Sequence, residues 1–269
     1  MKWFSHAIAW ILLLILIASA PLLPKSQPMN SHSAPPSDWK GVLRIWICLD
    51  WQPGTGSLSP WLNETAAIFE RKHPGVFVQI TPVSKDRLRT WGNGPALPPD
   101  ALIISSSVLK SPQGFAALAS DAQFASNIQP KATAIAIPIA MGGHAAAINM
   151  DIPPADAPGS FSDFVAGHAH STIVNLRTLH QLARKREACV APEYSIVPAE
   201  RPDIDQLALY MLPDQPARPD PMALCRSLLE TYLSDAAQRQ LKTVFALRVT
   251  QGEPLYDAHT DFGILESAY

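Results

Sequence analysis

His168 and His170, one residue apart, and then His180 and Cys189 are side chains that could bind a transition metal. Imidazole and thiolate are good donors to such ions, but a closed site needs about four ligands at a recognisable spacing, which this set lacks. Hydrolytic chemistry is no better supported. There is no Gly-x-Ser-x-Gly, no His-Glu-x-x-His and no phosphate-cradling glycine loop, and the carboxylates fall into no readable pair. Two polar stretches remain, each directly after an apolar run. Asp50–Ser57 (DWQPGTGS) combines a carboxylate, an indole and two glycines, and Ser105–Ser107 offers three hydroxyls. A carboxylate accepts hydrogen bonds, hydroxyls donate and accept them, and an indole presents a flat apolar face.

The surrounding residues say where those loops must lie. Val42–Leu49 (VLRIWICL), β-branched and aromatic, predicts a strand that delivers the chain to Asp50. Ser59 offers a helix cap and Pro60 suits a first turn, so a helix is expected to about Lys72, its inner side formed by Trp61, Leu62, Ala66, Ile68 and Phe69. Pro74-Gly75 ends it. A strand over Val76–Ile80, a short helix over Ser84–Trp91, a strand over Ala101–Ile104 and a helix from Ser111-Pro112 to about Ala119 follow. Trp61 and Trp91 read as core. Strand and helix in alternation predict a parallel sheet with right-handed crossovers. Ligands of such sheets sit beyond the carboxyl ends of the strands, where Asp50–Ser57 and Ser105–Ser107 fall.

Ala134–Asp151 (AIAIPIAMGGHAAAINMD) is organised differently. Two short apolar runs flank Gly142-Gly143, which predicts strand, flexible turn and strand, a segment that can carry the chain from one α/β unit into another. Beyond it the expected elements are a short helix over Ser160–Gly167, a strand at Thr172–Asn175, a helix over Leu176–Arg186 and a strand at Tyr194–Val197. Arg201–Leu212 reads as a helix through Ile204, Leu207, Ala208 and Met211, and Pro213–Pro221 as a loop. Two helices follow, Met222–Leu233 and, capped by Ser234, Asp235–Leu247. From Thr250 the tail is irregular.

With 26 prolines in 269 residues the chain is rich in loops, and a net charge of -2 without a basic, aromatic-interleaved run argues against nucleic acid as a partner. Lys2 ahead of the apolar run Ala7–Leu23 has the layout of an export signal, either cleaved or retained as an N-terminal membrane anchor. Pro24–Asp38 has the composition of a tether. Cys48, Cys189 and Cys225 lack metal or redox spacing, and an odd number leaves at least one free thiol. Cys48 is expected to be buried.

RIWICLD, a helix holding Phe69 and ending ERKHPGV, then PPDALIIS, IPIAMGGHAAAINMD and CRSLLETYLSDAAQRQLKTVFALRV together resemble, in that order, the extracellular solute-binding proteins of bacterial ABC importers, sugar-type. The resemblance covers Val42–Asp151 and Ala223–Val249. It implies a periplasmic-binding-protein-like α/β fold: a parallel-sheet lobe plus a reduced second α/β lobe, preceded by an N-terminal hydrophobic helix. The expected division is 1–23 leader or anchor, 24–39 tether, 40–138 first lobe, 139–202 reduced second lobe, and 203–269 helices returning to the first. It further implies that a sugar-like ligand is held between lobes that close by a hinge, and presented to a membrane permease, with no cofactor and no catalysis. Asp50 and Trp51 are then the leading contacts, Ser105 and Ser106 hydrogen-bond to ligand hydroxyls, and Met141, Gly142 and Gly143 present backbone. The alternatives are a shortened, tethered relative that serves as an interaction or sensory domain, and an exported hydrolase.

Overall fold

Alternation along β1 (Gly41–Cys48) sends Leu43, Ile45 and Ile47 to one face and Arg44, Trp46 and Cys48 to the other. The computed structural model describes residues 39–89, 99–105, 108, 135–155, 157–198, 206–211 and 221–269. Ser37–Tyr269 is one compact unit. The leader or anchor, the tether up to residue 38, Trp91, Ser106 and the helix expected after Ser111 lie outside the described residues. Among the described residues, no helix is long and apolar enough to cross a membrane.

β1 pairs in parallel with β2 (Val76–Pro82) on one side and β3 (Ala101–Ser105) on the other. The helix between β1 and β2, α1 (Ser59–Lys72), buries Trp61, Leu62, Thr65, Ala66 and Phe69. Leu58, not Ser59, occupies its cap position and makes no side-chain cap bond. Pro60 in the first turn already removes one N–H that a cap would have served. α2 (Lys85–Arg89) lies within the expected Ser84–Trp91, whose last two residues are outside the described ones.

The glycine-broken segment links two sheets. β4 (Ile135–Met141) is an edge strand of a five-stranded sheet that also holds β8 (Gln206–Met211), in the order β2-β1-β3-β8-β4. β5 (His144–Ile148) is the centre of a three-stranded sheet between β6 (Ser171–Asn175) and β7 (Ser195–Pro198). The helix α3 (Phe161–Val165) is capped by Ser160, whose Oγ accepts from the Asp163 N–H. β6 (Ser171–Asn175) runs into α4 (Leu176–Glu187) through an Asn175–Thr178 capping box. β7 (Ser195–Pro198) is the other edge. Ala145, Ala147, Val174 and Ile196 from these strands share a core with Leu176, Leu179 and Leu182 of α4, and that core is continuous with the inner face of the larger sheet.

Two expectations are corrected here. The described part of the helix read over Arg201–Leu212 is a strand, β8 (Gln206–Met211), antiparallel to both β3 and β4, so the larger sheet is mixed and not wholly parallel. Leu207, Ala208, Leu209 and Tyr210 are all buried because β8 is flanked by strands and covered on both faces. A strand buried on both faces loses its alternation, and a helical spacing can then be read into it.

The C-terminal part begins with α5 (Pro221–Leu233) and α6 (Asp235–Gln240), the latter capped by Ser234. α6 passes into a single 3-10 turn, Leu241–Val244, and stops at Phe245, whose left-handed φ of 55° ends the helix earlier than the expected Leu247. The tail is not irregular throughout: Thr260 caps a last helix, α7 (Asp261–Ser267). Cys48 and Cys225 are buried, Cys189 is exposed, and all three are free thiols.

Candidate functional site

Asp50, Trp51 and Ser105 come together where β1 and β3 end. The Asp50 N–H donates to Ser105 Oγ at 3.0 Å, and Ser105 is wholly buried, so this serine pins the loop to the end of β3. Asp50 Oδ2 accepts from Lys85 Nζ of α2 at 2.7 Å. That half-exposed pair orients the carboxylate more than it stabilises the fold. Trp51 is only 7% exposed, so the ring stands in the core and not as a free stacking surface. Its indole nitrogen is buried without a hydrogen-bond partner. A buried indole N–H normally finds an acceptor, so this donor stands out.

The rest of the loop is held from the other sheet. Arg177, in the first turn of α4, donates from Nε to the Pro53 carbonyl at 3.0 Å and from Nη2 to the Gly56 carbonyl at 2.6 Å. The Gly54 and Thr55 N–H groups donate to the carbonyls of Phe245 and Val244, at 3.0 and 3.1 Å. The Phe245 ring lies 4.5 Å from His180 of α4 and 5.0 Å from Phe262 of α7. A loop belonging to the large sheet is thus clasped by a helix of the small sheet and by the C-terminal segment. Arg177, Lys85 and Phe245 were not singled out from sequence, because each acts on residues far away along the chain.

His180 in this seam is held below its ordinary pKa of 6.5, first by burial and then by the charges of Arg184 and Arg177. As pH falls below 6.5 the unfolded chain takes up the proton first, so stability present at neutral pH is lost through the window beneath 6.5. His73, lowered by burial and by Lys72, acts in the same direction. His180→Phe, which keeps a ring against Phe245, is expected to flatten the acid side of the pH–Tm curve; an unchanged slope would refute the assignment.

Met141, Gly142 and Gly143 form a second cluster, separated from Ser105 by the width of β8. Met141 exchanges both backbone hydrogen bonds with Leu247, at 2.9 Å each. Tyr269 Oη donates to the His144 carbonyl at 3.1 Å. A cavity of about 340 Å³ opens here, lined by Met141, Leu247, Arg248, Tyr256, Glu266 and Tyr269 among others. Ser106 lies outside the described residues. His170 Nδ1 is 2.6 Å from the Ile152 carbonyl, and among the described residues no three His, Cys, Asp or Glu side chains gather as a metal site.

No protein-family model matches the sequence, and no curated protein matches it. Solved structures do match by shape. The Trichodesmium protein IdiA (FutA), solved with iron and citrate, is 11% identical, with 84% of this chain covering 95% of that one at a TM-score of 0.54. Apo FutA2 from Synechocystis PCC6803 is 13% identical, with 85% covering 95% at a TM-score of 0.52. At such identities the likeness concerns the fold. A mixed five-stranded sheet joined through a Gly-Gly crossover to a second sheet, with the chain returning to the first, is the periplasmic-binding-protein-like α/β fold, and this chain has it.

Proposed function

We propose that the chain is a non-enzymatic, extracytoplasmic solute-binding protein that captures a small polar ligand, sugar-like in its hydroxyls, for an ABC permease. The supporting observation is the buried Trp51 N–H without an acceptor, in a loop at the carboxyl end of β1 that a helix of the other sheet clasps. A ligand oxygen at that point supplies the missing acceptor, and the clasp by Arg177 is the closed arrangement in which a permease would meet it. Asp50, anchored by Lys85, and Ser105, which accepts from the Asp50 N–H, are the further polar contacts of this reading. The N-terminal apolar segment then serves as export signal or anchor, with residues 24–39 as tether, 40–138 and 203–269 as one lobe and 139–202 as the other.

A second reading draws on the same seam. The bonds from Arg177, Phe245 and Val244 close the loop with protein groups alone, as a tethered interaction domain without solute would require. Thermal-shift screening against mono- and oligosaccharides and against ferric citrate separates the two. Stabilisation by any of them that is weakened about 3- to 10-fold by Trp51→Phe, which keeps an aromatic ring but removes the pyrrole half of the indole with its N–H, supports solute capture. No shift across the panel supports the interaction domain.

A further inference from the structure

The face of β1 turned away from the main core carries a second polar concavity. Arg44 and Trp46 alternate outward on β1, and the parallel register sets Gln79 beside Arg44 and Thr81 beside Trp46 on β2. With Ser84 and Arg87 from the start of α2 they line a cavity of about 510 Å³. None of the described residues lining it is acidic.

Among the described residues, neither cation forms an ion pair with a carboxylate. Arg44 Nη1 is buried and makes no hydrogen bond. Asp100 turns its Oδ2 to the Arg44 backbone N–H at 2.8 Å, and the carboxylate of Asp50, six residues beyond Arg44, accepts from Lys85 Nζ. Arg87 lies over the buried Trp46 ring, with its guanidinium carbon 5.6 Å from the ring centroid, a cation–π contact that keeps this charge beside the groove. A guanidinium N–H withdrawn from water without an acceptor is costly, and a tetrahedral oxyanion satisfies two such forks better than a neutral group.

We infer that this groove binds a phosphate ester, its phosphoryl oxygens held between Arg44 and Arg87 with Thr81 and Ser84 donating hydroxyls, and its organic part lying along Trp46 and Gln79. The cavity is within the roughly 300–1,000 Å³ of organic-ligand sites, which is more than a bare phosphate needs. The ester is either a soluble monoester or the phosphodiester of a lipid headgroup, since both present tetrahedral phosphoryl oxygens to the two guanidinium groups. The inference does not rest on solute capture at Trp51, because the two sites lie on opposite faces of β1.

The test uses the full chain with glycerol 3-phosphate in titration calorimetry and with vesicles of phosphatidylglycerol against phosphatidylcholine in co-sedimentation. Saturable binding of glycerol 3-phosphate, or retention by the anionic vesicles alone, is expected, and the responding arm tells soluble ester from headgroup. Arg44→Gln is expected to weaken that binding at least about tenfold, with Arg44→Lys recovering part of it. Arg87 is exposed, so Arg87→Gln tests the same prediction without risk to folding and should likewise weaken binding. Absence of binding in both arms, or binding that neither glutamine variant changes, overturns the site.

Discussion

Gly54→Ala is expected to cost about 2 to 3 kcal/mol of stability and to free the loop Asp50–Ser57 from the helix that clasps it. A methyl group at Gly54 would stand 2.5 Å from Phe245 Cβ, 3.2 Å from the Phe262 ring and 3.3 Å from His180 Cβ. Phe245 Cβ cannot swing aside as a side-chain tip can, because it is fixed to a backbone in the left-handed region that bonds back to Gly54 itself. Relief must come from moving the loop, and that stretches the bonds from Gly54 and Thr55 to Phe245 and Val244. Faster amide hydrogen exchange at Gly54 and Thr55, with a Tm roughly 5 to 10 °C lower, is the expected readout. Gly56→Ala is the control, since its φ of +59° makes alanine strained while nothing lies within 4 Å of the added methyl. Its cost is the smaller conformational one, about 1 kcal/mol. Equal effects at the two positions would remove close approach as the reason for Gly54. If the seam is also where solute is held, Gly54→Ala weakens any ligand found in the thermal-shift panel while Gly56→Ala spares it.

The parts of this fold that local chemistry dictates were legible. β1, β3 and the strands either side of Gly142-Gly143 announce themselves as apolar runs cut off by glycine or polar residues, and α4 by the basic amphipathic pattern of Leu176–Arg186. β8 was not, because burial on both faces erased its alternation and left Leu207, Ala208 and Met211 at helical spacing. α7 was missed for a different reason: seven residues with a glycine inside have little intrinsic tendency to be helical, and packing of Phe262 and Leu265 into the core supplies the rest. At the candidate site the position of Asp50, Trp51 and Ser105 followed from strand direction alone. What covers them did not, since Arg177 and Phe245 reach the loop from more than a hundred residues away, and no local pattern encodes such a contact.

Gln238 joins those distant parts, and Gln238→Met is expected to be among the most damaging single changes in the chain. Its side chain is wholly buried and its amide is fully used: Nε2 donates to the Ile139 carbonyl at 2.8 Å and to the Tyr232 carbonyl at 2.9 Å, while Oε1 accepts from the Val249 N–H at 2.9 Å. One amide thereby ties α6 to the strand that leads into the crossover, to the end of α5, and to the segment that runs beside Met141. Methionine matches the volume, so no cavity term enters and the loss isolates the hydrogen bonds. Two buried backbone groups and one half-buried one lose a partner, which amounts to about 3 to 5 kcal/mol and lowers Tm by roughly 10 °C. Gln238→Glu discriminates further: an ionised carboxylate keeps the bond from Val249 but faces two carbonyls without a donor, so this variant is least stable at neutral pH and regains part of its deficit on acidification, when the protonated acid offers one O–H. Measured by thermal unfolding from neutral to acidic pH, a glutamate variant with no relative gain at low pH, or a methionine variant within about 1 kcal/mol of the native chain, would show that space-filling and not hydrogen bonding holds α6 to the crossover strand.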